Sequence, residues 1–128
     1  MLKAIHIPVV TSGGAGVAAG TADSTVLVVG ELVGVYLKYN SQPATTDVTL
    51  KTKGASSPSY NLLVVTNGNT SGYFAPRAKP VDNANGAITN AHDRFPVSDF
   101  LTLSVAQGDN GAPGVEAWAL IDDGRDKP

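Results

Sequence analysis

A chain of 128 residues holds one domain and is long enough to bury a real core. Its 14 glycines, 8 prolines and scarce glutamates leave few windows for an uninterrupted amphipathic helix, and its 42% hydrophobic content exceeds that of disordered chains. The net charge of −2 argues against nucleic acid as a partner, and the absence of cysteine excludes disulfides and thiolate metal sites.

In chain order, Leu2 to Val10 reads as a first strand, on an edge or at a bend because Pro8 has no N–H to donate. His6 and Pro8 also interrupt the apolar stretch that a signal peptide would need. Residues 11–23 carry many small side chains and little to bury, which predicts a loop or an extended arm. Ser24 to Gly30 reads as a short buried strand. Glu31 to Asn40 follows, with Val35, Leu37 and Tyr39 on one face and Tyr36 and Lys38 on the other. Thr46 to Lys53 alternates as a half-exposed strand with Val48 and Leu50 inward. Tyr60 to Thr66 is apolar in its middle, which predicts a central strand.

A long irregular region then runs over 67–96, with only 87–89 suited to pairing. Val97 to Gln107 alternates, with Leu101, Leu103 and Val105 inward. After a loop over 108–114, Val115 to Asp122 forms the last strand. Its residues Val115, Ala117, Ala119 and Ile121 share one face, and Glu116, Trp118 and Leu120 the other. Residues 123–128 form a polar tail. The expected fold is all-β: one antiparallel two-sheet sandwich over 24–122, jelly-roll-like or immunoglobulin-like, preceded by the 1–23 strand and Gly/Ala-rich arm. No apolar run is long enough to span a membrane as a helix.

Catalytic patterns are weak. Gly14, Gly16 and Ala19 outline a dinucleotide fingerprint, but Gly20 and Asp23 would end the helix that it needs. Asp82, Asn83 and Asn85 precede Gly86 as in a calcium loop, yet Val81 stands where the acid should be. An Asx-rich turn is the simpler reading, with a calcium or glycan site in 82–93 left open. His6 and His92 lack zinc-site spacing, and no nucleophile elbow occurs. The expectation is a non-enzyme without metal or cofactor. Its candidate interface residues are Tyr73, Phe74 and Arg77 in the long loop, with Trp118 and Leu120 on the outward face of the last strand.

Three segments carry a resemblance: GELVGVYLKY at 30–39, PATTDVTLKT at 43–52 and LLVVTNGNTSGYFAPR at 62–77. Together with the closing strands they resemble small structural proteins of tailed-phage heads, and most closely a capsid cement (decoration) protein. The resemblance implies a homotrimer on the outer capsid surface that bridges major capsid subunits and stabilises the head. The alternative is a carbohydrate- or receptor-binding sandwich of a virion or head fibre, with Tyr73, Phe74 and Trp118 as stacking groups.

Overall fold

A computed structural model describes residues 2–55, 58–78 and 93–124. Nine strands follow one another: β1 (Leu2–Thr11), β2 (Ala18–Asp23), β3 (Val28–Tyr39), β4 (Asp47–Thr52), β5 (Asn61–Val65), β6 (Gly72–Phe74), β7 (Phe95–Asp99), β8 (Leu101–Gly108) and β9 (Gly111–Asp122). The first sheet has the order β1-β9-β3-β6, with β7 on the same edge of β3 as β6, and the second has the order β2-β8-β4-β5. All pairings are antiparallel.

The pairs nest. Ile7 faces Ala117, Ala22 faces Leu103, Val29 faces Ser98, Tyr36 faces Tyr73 and Leu50 faces Leu63. The chain is thus one long antiparallel ribbon, folded at the β4–β5 turn and rolled so that successive stretches alternate between sheets. That is a jelly roll. In the immunoglobulin-like alternative the first and last strands lie in different sheets, whereas β1 and β9 here are neighbours. One insertion interrupts the ribbon. Leu32 to Val35 of β3 spans three positions, and the facing chain from Phe74 to Phe95 spans 21. Paired hydrogen bonds between Ala78 and Asp93 close the neck of this excursion.

Inward side chains of both sheets make the core. Ile7, Val9, Leu32, Val35, Leu37, Val115 and Ile121 come from the first sheet, and Val48, Leu50, Leu62, Leu101, Leu103 and Val105 from the second. Each fully buried aliphatic side chain stabilises the fold by about 1.5–3 kcal/mol. The positions expected inward in β3, β4, β8 and β9 are all buried, although Thr102 of β8, expected outward, is buried as well, with its hydroxyl on Asp23.

Four readings need correction. Residues 11–23 are no arm: β1 turns back at 13–17, and β2 pairs with β8 inside the sandwich. The small side chains serve close approach within the chain itself, since a Cβ on Gly20 would sit 2.1 Å from the Val10 carbonyl oxygen. Residues 28–39 form one strand rather than two. β5, expected centrally from its apolar middle, lies at an edge. The stretch 97–107 breaks at Phe100, where the chain leaves the first sheet for the second. The short piece at 87–89 lies outside the described residues.

That break is held by a buried carboxylate. Asp99 is 1% exposed and accepts hydrogen bonds from the backbone N–H groups of Phe100 at 2.7 Å, Gly54 at 2.8 Å and Ala55 at 3.2 Å. Ser24 supports it by exchanging hydrogen bonds with the backbone of Leu101. Replacing Asp99 with Ala strands these donors away from water, so the unfolding free energy in urea should fall by at least about 2 kcal/mol. A midpoint unchanged from the parent would refute this role.

Candidate functional site

The outer face of the first sheet gathers groups from distant parts of the sequence. Outward positions alternate with the core positions, and strand register sets which of them become neighbours. His6 of β1 lies opposite Trp118 of β9, Trp118 opposite Tyr36 of β3, and Tyr36 opposite Tyr73 of β6. Four rings therefore form a single row across four strands. His6 stacks on Trp118 with ring centres 4.5 Å apart and planes 15° off parallel. Tyr36 stands 6.0 Å from Trp118 at a tilt of 56°.

Tyr73 is placed by an absence. β3 bulges between Leu32 and Gly34, and a Cβ on Gly34 would lie 2.3 Å from the Tyr73 hydroxyl. Gly34 thus leaves the space in which this ring lies across the strand. Arg77 holds the same bulge by donating to the carbonyls of Val33 at 2.9 Å and Pro76 at 2.8 Å. Leu120 sits beside Trp118 along β9, between Ala4 and Gly34 in neighbouring strands, and is half-buried.

A polar row borders the rings. Glu116, two positions from Trp118, pairs with His6 Nε2 at 2.9 Å through one oxygen. Its other oxygen accepts from Asn40 Nδ2 at 3.2 Å. Lys38 is its neighbour in register. The Asn40 amide, then His6, and at longer range Lys38 hold the Glu116 carboxyl below its ordinary range, outweighing the opposing effect of burial.

The five candidate interface residues divide. Tyr73, Trp118 and Leu120 share this outer face. Phe74 is turned the other way and packs against the core. Arg77 is half-buried and committed to backbone carbonyls. The loop at Asp82, Asn83 and Asn85, with His92, lies outside the described residues. Among the described residues no group of three or more His, Asp or Glu side chains could hold a metal ion.

A second surface was missed. Leu2, Val26, Leu27 and Val29 each expose half or more of their area. Val26, Leu27 and Val29 border a hollow of about 210 Å³ with Lys3, Ile5, Val28 and Ile121. The sequence reading placed residues 24–30 in a buried strand. A short apolar run has no period that separates covered from uncovered positions, and only Val28 of this run reaches the core.

No protein-family model matches the chain, and neither a curated protein nor a solved structure matches it.

The depressed Glu116 carboxyl has a pH signature. A carboxyl that is more acidic folded than unfolded stabilises the fold above its ordinary value of 4.5, and that contribution is lost as pH falls through the lower folded value. Asn40→Ala should raise the Glu116 midpoint in an NMR titration and flatten the acid dependence of stability. An unchanged midpoint would show that Asn40 does not set it.

Proposed function

We propose that the chain is a non-enzymatic structural protein of a phage virion. It binds the outer capsid surface, bridges major capsid subunits and stabilises the head. The observation that carries this reading is the run Val26, Leu27 and Val29, each at least half exposed, around a hollow shared with Ile5 and Ile121. Contiguous exposed aliphatic surface marks a protein contact, because its burial releases the same hydrophobic free energy that builds a core.

The resemblance supplies the partner. Its three segments map onto β3, the approach to β4 with β4 itself, and β5 through β6, which are successive parts of one rolled ribbon. A passive clamp needs rigidity more than chemistry, and a jelly roll tied at its sheet crossings provides it. The reading includes a homotrimer, in which three copies engage the shell together. Each copy raises the effective concentration of the next, so modest contacts sum to firm attachment.

Undecorated heads mixed with the purified protein should bind it and lose their DNA at a higher temperature. Leu27→Asp places a charge in an exposed position, so it should keep the parental melting temperature and lose head binding. Heads that neither bind the parent protein nor gain heat resistance would overturn the proposal.

A further inference from the structure

The aromatic row calls for its own explanation. Tyr73 and Tyr36 are 56% and 39% exposed, so neither ring is there to fill the core. The row is bordered on one side by Glu116 and Lys38 and, beyond Ala4, Leu120 and Gly34, on the other by Asp122 and Glu31. The apolar strip is therefore narrow and lies between rows of charge. The strip is two residue rows wide and four strands across, well short of the roughly 800 Å² that a stable protein contact covers on each partner. A phosphate polymer would meet Glu116, and of the basic groups at the border Arg94 is already paired with Asp122 at 3.5 Å and Glu31 at 3.9 Å, which leaves Lys38.

A pyranose is a different kind of ligand. One face of the ring carries C–H groups that pack on aromatic side chains, while hydroxyls at its rim need donors and acceptors in fixed places. Here the rings come from adjacent strands about 4.8 Å apart, roughly the width of one sugar unit. Trp118 and Tyr36 lie 6.0 Å apart at a tilt of 56°, and Tyr73 lies across Gly34. Glu116 is held by Asn40 and His6 before any ligand arrives, so its oxygens keep their direction without further ordering cost. Lys38 supplies a donor beside it.

We propose that the row His6, Trp118, Tyr36 and Tyr73, with Glu116 and Lys38, is a binding site for neutral oligosaccharide. The row is separate in composition from the aliphatic cluster at Leu27, and the two surfaces carry different partners. Trp118 is the single tryptophan of the chain, so its fluorescence reports this site directly.

The test is titration with a panel of neutral oligosaccharides of glucose, galactose and N-acetylglucosamine, read by Trp118 emission and by calorimetry. At least one series should give a saturable change. Tyr36→Ala and Tyr73→Ala should each weaken it about tenfold while leaving the melting temperature near that of the parent. Leu27→Asp should bind the sugar as the parent does, which keeps this site distinct from the head contact. An unresponsive Trp118 across the panel would overturn the proposal, as would tyrosine variants that bind like the parent. Loss of head binding in Tyr73→Ala, with no sugar response in the parent, would assign the row to the shell instead.

Discussion

A chain that changes sheets must leave one hydrogen-bond ladder before it joins the next, and the backbone groups stranded at that step need other partners. This jelly roll changes sheets repeatedly, and buried polar side chains meet the need at the crossings. At the β7–β8 break Asp99 gathers three backbone N–H groups, two of them from the β4–β5 connection. At the β8–β9 turn Gln42 plays the part of a missing strand. Its carbonyl accepts from the Asp109 N–H at 2.9 Å and its amide donates to the Asp109 carbonyl at 3.1 Å. Thr11 donates to that same carbonyl, while Gly16 and Gly13 donate to the side chains of Asp109 and Asn110. At these two crossings the ribbon can roll because the stranded backbone groups are satisfied in this way.

The rolled ribbon then decides what the surface can do. Nested pairing brings the first strand beside the last, so residues more than a hundred positions apart share a row. His6 and Glu116 meet only for this reason, and so do His6 and Trp118. A shift of register by one residue would turn every ring of the row into the core. The bulge at Gly34 and the Arg77 contacts on Val33 keep β6 where Tyr73 continues the row. The long excursion between β6 and β7 leaves the same edge of β3, so it is an insertion in the ribbon and leaves its topology unchanged.

Two surfaces of different chemistry result on one small domain. The aliphatic cluster around Leu27 is suited to a protein partner, because its burial needs no matching polar groups. The aromatic row is suited to a ligand with an apolar face and a polar rim, because charged groups border it. The proposals are separable because the residues that carry them do not overlap.

Much of this could be read in the chain. The period-two alternation of 35–39, 46–53 and 115–122 marks the inward positions, since a strand half-buried in a sheet must alternate. The outward placement of Glu116, Trp118 and Leu120 follows from the same rule. Composition and turn residues are enough for an all-β sandwich. The tertiary structure alone settled three matters. It chose the jelly roll, because pairing between strands far apart leaves no local signal. It placed residues 11–23 in the end of β1, a turn and β2, with Gly20 against the Val10 carbonyl, rather than in an arm, because small side chains suit a mobile segment and a tight crossing equally. It also separated Phe74 and Arg77, which face inward or hold the backbone, from Tyr73 and Trp118, because neighbours in sequence part at a strand while strangers in sequence meet across one.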